Sequence, residues 1–373
     1  MERFGSAPEG LLPRKETVPY KSSELKTKEK DLQEIGEFGL INRIRKWITS
    51  SDPALIQGIG DDVAVIEMGK KALLVTTDIL IEDIHFDRSW SDPCSLGRKS
   101  LAVNLSDIAS MGGIPKYFLI SIGLPKNLPL SFISSFYRGL KQEAKKFRVE
   151  LIGGDTSLSQ KIIINICLLG EGKKRDLLFR KGAKVGDDLF VSGTLGDAAL
   201  GLKILQEKKK MEPHGQSPWS PATGIKGLGG LIKRHLSPSP RLKLGQAIAK
   251  HHYADAMIDI SDGLLIDTSH LLEESGAGAR ICEDRIPLSN LYRKWVRSFS
   301  KDPLRFAFSG GEEYELLFTA PPEMRKRISS LSHSLKIPIT RIGEILPKKE
   351  GLHIIRKDGK DYSPSRLGFE HFK

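Results

Sequence analysis

The chain has 373 residues, 39% hydrophobic and 28% charged, with a formal net charge of +12. That length exceeds what one hydrophobic core usually serves, so two domains are expected. No apolar run approaches the roughly 20 residues that span a bilayer, MERFGSAPEGLLPRKE does not read as a signal peptide, and Cys94, Cys167 and Cys282 stand far apart without CxxC spacing. These features argue against a membrane span, a disulfide scaffold and a zinc site, and the expected setting is cytoplasmic.

Residues 1–33 are rich in Lys, Glu, Ser and Pro and read as a flexible tail, with order beginning near Gly36. Phe38, Ile41, Ile44 and Ile48 then share one helix face. Short strands are predicted at Val63–Ile66 and Ala72–Thr76, then a helix from Ser95 to Met111 stopped by Gly112 and Gly113. A strand at Tyr117–Ile122, a helix at Leu130–Phe147 and strands at Glu150–Ile152 and Ile162–Leu169 complete a first domain, 34–170. The second, 171–373, restarts with a strand at Asp188–Val191. It continues through helices at Leu195–Gln206, Arg241–Lys250 and Leu264–Glu274, a strand at Tyr314–Thr319, a helix at Glu323–Ser334 and a strand at Arg341–Leu346. Met211–Gly230 is dense in Pro, Gly and Ser, so a mobile insert is expected at about 208–226, its departure centred on 211–224. The fold class expected is α+β.

Much of the positive excess lies between Lys203 and Lys250, including Lys208, Lys209, Lys210, Lys233, Arg234, Arg241 and Lys243. The stretch has little aromatic content for base stacking and sits in no nucleic-acid module, so neither nucleic acid nor membrane is an expected partner. A solvated basic face is the plain interpretation. A field that draws in phosphorylated small molecules is the functional one.

Six segments place an acidic or small polar cluster after an apolar run: Gly58–Asp62, Leu74–Asp78, Val103–Asp107, Ile152–Thr156, Ile258–Asp262 and Ser309–Glu313. Any one of these acids could be a helix cap, but Asp61 and Asp62 are harder to explain so, since capping needs one carboxylate. Gathered carboxylates repel unless a multivalent cation sits among them, and all-oxygen ligands select hard ions such as Mg²⁺. Magnesium keeps waters and bridges phosphates, so a nucleotide is the natural client, and the glycines let backbone N–H groups approach it. The sequence has no GxxxxGK[ST], no HRD or DFG set, no HExxH, no GxSxG and no GxGxxG after a strand. His85, in Glu82-Asp-Ile-His-Phe86, is equally readable as a structural histidine.

The motifs GEFGLI (36–41), GIGDDVAVI (58–66), TTDILIEDIHF (76–86), LAVNLSDIASMGG (101–113), LIGGDTS (151–157), IDISDGLLID (258–267) and SGGEEYELLF (309–318) resemble thiamine-monophosphate kinases. These belong to the superfamily of aminoimidazole ribonucleotide synthetase and selenophosphate synthetase. The resemblance runs from about Gly36 to Phe372, and no reactive Cys precedes the first Gly-Asp-Asp motif, as a selenophosphate synthetase would usually require. It implies a two-domain aminoimidazole ribonucleotide synthetase-like fold with mixed sheets, and a homodimer paired through the first domain, with nucleotide in a groove there. It also implies direct phosphorylation of thiamine monophosphate by ATP with several Mg²⁺ ions.

Carried over residue by residue, the implied metal ligands are Asp62, Thr76, Thr77, Asp78, Asp107, Asp155, Asp259 and Asp262. Asp78, Asp107 and Asp262 are the implied catalytic carboxylates. Tyr137, Gly154, Asp155, Arg180 and Ser261 would contact ATP, and His85, Glu312 and Phe369 the acceptor. The family commonly has Tyr or Trp where this chain has Phe369, which keeps an aromatic face and loses a polar handle. Alternatives are a relative acting on another acceptor, such as a purine-pathway amide or a hydrogenase-maturation thiocarboxamide, and a silent nucleotide-binding module.

Overall fold

The computed structural model describes residues 31–211, 227–364 and 366–372. Nearly all of the expected tail, and the insert from 212 to 226, lie outside them. Ten α-helices and twelve strands are described. The first half runs α1 (Leu32–Trp47), β1 (Leu55–Gln57), β2 (Ala64–Met68), β3 (Lys71–Ile81), α2 (Pro93–Ser110), β4 (Ile114–Leu124), α3 (Leu130–Phe147), β5 (Glu150–Leu158) and β6 (Ile163–Lys173). The second runs β7 (Asp188–Ser192), α4 (Asp197–Met211), α5 (Gly229–Leu236), α6 (Leu242–Lys250), β8 (Ala256–Ile260), α7 (Leu264–Ser275), β9 (Ala277–Cys282), α8 (Asn290–Trp295), α9 (Arg305–Ser309), β10 (Glu315–Ala320), α10 (Arg325–Leu335), β11 (Ile339–Pro347) and β12 (Leu352–Ile355).

The strands form two six-stranded sheets, ordered β1-β2-β3-β6-β4-β5 and β12-β9-β11-β7-β10-β8. Each is mixed. Only β4–β5 in the first and β9–β12 in the second pair in parallel. The expected α+β architecture with mixed sheets is what the chain adopts.

Helix α2 holds the two sheets together and is buried on nearly all sides, against α3, β3 and β6 of the first half and α6 and β8 of the second. Close approach explains its small residues: a Cβ on Gly97 would meet the Phe136 carbonyl at 2.1 Å. A helix buried all round needs its polar side chains satisfied internally. Asn104 and Ser100 bond to backbone carbonyls one turn back, and Lys99 and Ser106 reach partners in the second half.

Several boundaries differ from expectation for physical reasons. Helix α1 begins at Leu32 because Asp31 caps it, its carboxylate accepting from Glu34 N–H, and Gly36 at φ 67° breaks the helix rather than starting it. Strand β3 continues to Ile81 because Ile79, Leu80 and Ile81 stay paired with β6. Lys208–Met211, expected in the insert, are the last turn of α4. The basic stretch is not simply a solvated face: Arg234 and Arg241 converge on buried Glu315, and Lys209 pairs with Asp87.

Candidate active site

A cavity of about 1000 Å³ opens between the two halves. Its walls come from β3, the turn after it, α2, α4, the loops ahead of α7 and β10, and the C-terminal segment around Phe369. One end is acidic. Asp78 lies on the inward face of β3, Asp107 on α2, and Asp262 in the turn between β8 and α7. Asp62 and Asp259 stand behind them.

Their mutual electrostatics show the convergence. Burial pushes Asp78 up to about 6, helped by the charge of Asp62. Asp107 is raised well above the ordinary range by burial and then by Asp78, Asp259 and Asp62. Asp259 is raised in the same direction by burial and Asp62, and Asp262 to about 7 by burial and Glu37. Carboxylates so arranged are stable as a set of anions only with cations between them.

Hydroxyls orient the set. Thr76 Oγ1 donates to Asp107 Oδ2 at 2.5 Å and lies 3.2 Å from the Asp62 carbonyl. Ser106 Oγ donates to Asp259 Oδ2 at 2.5 Å, and Asn104 Oδ1 accepts from the Asp78 N–H at 3.1 Å. The turn carrying Ser261 and Asp262 is shaped by Asp267, whose Oδ2 accepts from the N–H groups of Ser261, Asp262 and Gly263 at 3.1, 3.1 and 3.0 Å. Gly263 is required there: its φ is +134°, and a Cβ would sit 3.1 Å from the Ser309 carbonyl carbon.

Arg180 approaches the same end, its Nε donating to Asp62 Oδ1 at 3.0 Å and its backbone N–H to Asp61 Oδ2 at 3.1 Å. Asp62 Oδ2 is buried and has no hydrogen-bond partner among the described residues. That orphaned carboxylate oxygen, beside Asp78 and Asp107, fits a hard cation. Among the described residues no three His, Cys, Asp or Glu side chains form a cage by themselves; magnesium is commonly bound through one or two carboxylates plus waters and phosphates.

Elsewhere on the cavity wall, His85 Nδ1 accepts the Ile81 N–H at 3.0 Å, which leaves Nε2 as the protonated nitrogen. Burial and then His371 push the His85 imidazole down, towards the neutral form. The His371 ring lies 5.2 Å from His85 and 4.9 Å from Phe369, edge-on to the latter. Phe369 is anchored by its N–H to the Asp262 carbonyl at 2.9 Å. Glu312 adopts φ +65°, a conformation costly for a non-glycine residue, and its N–H bonds the Ser261 carbonyl at 2.6 Å. Two loops from different parts of the second half are thereby tied together.

Three expected residues are not brought to this cavity. Gly154 and Asp155 lie in β5, the far edge strand of the first sheet, where every residue is exposed. Asp155 sits on the row Ile79–Asn165–Ser121–Asp155. Three strand spacings of about 4.8 Å put it roughly 14 Å from β3. The period-2 alternation also places it on the face opposite Asp78. Tyr137 lies on α3, against Phe136. Thr77 faces away from Asp78, accepting from Asn165 Nδ2 at 2.9 Å, yet it reaches the cavity rim. Conversely, Glu37, Lys99, His235, Asp267 and His371 belong to the site and were not singled out from the sequence. Glu37 and Asp267 fall inside recognised motifs; Lys99 and His235 carry no local signal.

The sequence matches two family descriptions, "AIR synthase related protein, N-terminal domain" over residues 60–171 and "AIR synthase related protein, C-terminal domain" over 184–355. Thiamine-monophosphate kinase of Aquifex aeolicus is 40% identical over 342 residues, covering 91% of this chain and 99% of that protein. The Escherichia coli K12 enzyme is 37% identical over 90% and 98%. A solved structure, AaThiL complexed with AMPPCP and TMP, superposes with a TM-score of 0.78 at 38% identity, covering 92% of this chain and all of that one. Thiamine-monophosphate kinase from Stenotrophomonas maltophilia K279a gives 0.70 at 34% identity, covering 87% and 96%. The acidic cavity between two mixed sheets and these near full-length matches agree: the chain belongs to the thiamine-monophosphate kinase family, within the AIR synthase-related superfamily.

Proposed function

We propose that the protein transfers the γ-phosphoryl group of ATP directly to the phosphate of thiamine monophosphate, giving ADP and thiamine diphosphate in thiamine diphosphate biosynthesis. The observation that supports this best is the convergence of Asp62, Asp78, Asp107, Asp259 and Asp262, three of which line a cavity that also carries His85, Glu312 and Phe369. The acceptor oxygen is already anionic at neutral pH, so no general base is required. The obstacle is repulsion: two unit charges about 4 Å apart cost about 4 kcal/mol at an effective dielectric near 20. Magnesium ions bound there would neutralise both anions and align them, which is most of what phosphoryl transfer asks of a protein.

The residues divide the work. Asp78, Asp107 and Asp262 face the cavity as ion ligands, Asp62 and Asp259 back them, and Thr76 and Ser106 fix carboxylate orientation. Arg180 balances Asp62 and would clamp ATP phosphates in the proposed complex. His85 offers an Nε2–H donor to the acceptor, Phe369 an aromatic face and Glu312 a negative charge for the cationic rings.

The working unit we infer is a homodimer. The outer face of the first sheet exposes Ile79, Ile114, Tyr117 and Leu119, an apolar surface that leads to the unpaired β5 edge, where Leu151 and Ile152 are also exposed. A second copy covering that face would bring its own Gly154, Asp155 and Tyr137 to the nucleotide, and Thr77 would meet them there. We also place the division between the two domains slightly after the expected residue 170, in the segment linking Lys173 to Asp188, because β6 stays paired with β3 as far as Lys173, and the protein in the cytoplasm. No helix among the described residues is long and apolar enough to cross a membrane.

The test is ADP release with a panel of acceptors: thiamine monophosphate, unphosphorylated thiamine, a purine-pathway amide and a thiocarboxamide. Turnover confined to thiamine monophosphate is expected. Turnover with an amide or thiocarboxamide instead would assign the chain to another branch of the superfamily.

A further inference from the structure

Lys99 is a lysine inside the protein. It projects from the central helix α2, is 3% exposed, and places Nζ 2.6 Å from Glu312 Oε1 in the second half of the chain. On the far side of the same carboxylate, His235 at the end of α5 is 2% exposed and stands with Nδ1 2.6 Å from Glu312 Oε2. Three segments distant in sequence, near residues 99, 235 and 312, therefore meet at one carboxylate on the cavity wall. An ammonium group so deeply buried is strongly unfavourable without a partner, so Lys99 is kept there by Glu312 and fixes it in turn.

The cluster is not closed. Lys99 satisfies Oε1, and His235 Nδ1 stands 2.6 Å from the buried Oε2, which has no further partner among the described residues. Each carboxylate oxygen can accept more than one hydrogen bond, and Glu312 lines the cavity. A ligand N–H group or a delocalised cation would fill that capacity.

We propose that Lys99 and His235 are positioning residues which hold Glu312 as a fixed anion for the cationic, N–H-bearing ring end of the acceptor, and so set specificity for a charged over a neutral acceptor. Burial alone would push the Glu312 carboxyl up, but the charge of Lys99, with His235 beside it, keeps the group well below the usual carboxylate range; burial and then Lys99 push His235 itself down, so it serves as a neutral N–H donor. The left-handed backbone at Glu312 points the same way: strain is retained where a side chain must be held in one direction. This inference rests on the acceptor assignment made above.

The experiment is steady-state kinetics of Lys99→Met, Lys99→Arg and His235→Leu, with KM measured separately for thiamine monophosphate and ATP. Lys99→Met should raise KM for thiamine monophosphate about tenfold or more, the equivalent of one lost charged hydrogen bond, while KM for ATP stays within about twofold. Lys99→Arg restores the cation and should recover most of the loss. His235→Leu should raise the same KM several-fold, and it carries the test with Lys99→Arg if Lys99→Met does not fold. A parallel rise in both KM values, a fall in kcat alone, or no gain from arginine would overturn the positioning role. Wild-type protein unable to use thiamine monophosphate would instead overturn the acceptor assignment, and this inference with it.

Discussion

Arg180 donates from Nε to Asp62 Oδ1 at 3.0 Å, so the Gly-Asp-Asp turn of the first sheet is tied to the segment that leads into the second. One carboxylate oxygen is thus committed to the protein's own cation and the other left open.

That division predicts the behaviour of Arg180→Met. Removing one partner of a buried pair typically costs about 3–5 kcal/mol, and Asp62 is 2% exposed at its side chain. The loss in urea unfolding should be large in EDTA and smaller in magnesium, because an ion at Asp62 replaces the lost charge. KM for ATP should rise at least about tenfold. Equal destabilisation with and without magnesium would separate Asp62 from the ion site.

Asp78→Asn and Asp107→Asn should each lower turnover at least about a hundredfold, roughly 2.7 kcal/mol of transition-state stabilisation. Neither should unfold the protein, since each removes a buried charge that its neighbours repel. Wild-type-like activity in either purified variant would remove that residue from the ion set.

The same crowding sets a pH dependence for the metal-free protein. Asp61 and Asp262 are raised to about 7 and Asp78 to about 6, each by burial first. Between the unfolded carboxylate pKa near 4 and these values the folded state binds more protons than the unfolded one. The stabilisation is therefore present at low pH and lost as pH rises from about 4 to about 7. Melting curves in EDTA should fall across that window, and excess magnesium should flatten or reverse the fall. A metal-free protein that gains stability from pH 5 to 7 would contradict the arrangement.

Asp267→Ala should cost several kcal/mol, since three backbone N–H groups lose their one acceptor at about 1–3 kcal/mol each. Asp267→Asn, which keeps an acceptor oxygen, should cost much less. Chemical denaturation of the pair checks this, and equal losses would show that the carboxylate charge rather than the bonded turn is what matters.

How much of this could be read from the sequence depends on where each residue gets its meaning. The acidic motifs were legible because carboxylates beside glycine after apolar runs have few other uses in combination, and both mixed sheets follow from the resemblance. Lys99 and His235 were not legible: each looks ordinary in its own helix and acquires its role only when α2, α5 and the loop before β10 meet at Glu312. Asp155 illustrates the reverse. Its Gly-Gly-Asp motif reads like the others, but whether a strand lies at the centre or the edge of a sheet is decided by long-range pairing, which no local pattern records.

The position of Asp155 yields a test of the dimer. If a second copy supplies Asp155, mixing inactive Asp78→Asn with inactive Asp155→Ala protein, with subunit exchange, should restore activity, because one site in each mixed dimer is then intact. No recovery despite demonstrated exchange would place Asp155 in the same protomer's site or outside the mechanism.

The most direct measurement of the central claim is thiamine diphosphate formation from thiamine monophosphate and ATP as magnesium is titrated. Cations that separate two repelling anions should make product formation absolutely dependent on the metal, one ADP per thiamine diphosphate, and still rising after ATP is saturated with magnesium. Undiminished turnover in EDTA, or a rate that levels off once MgATP is complete, would contradict it.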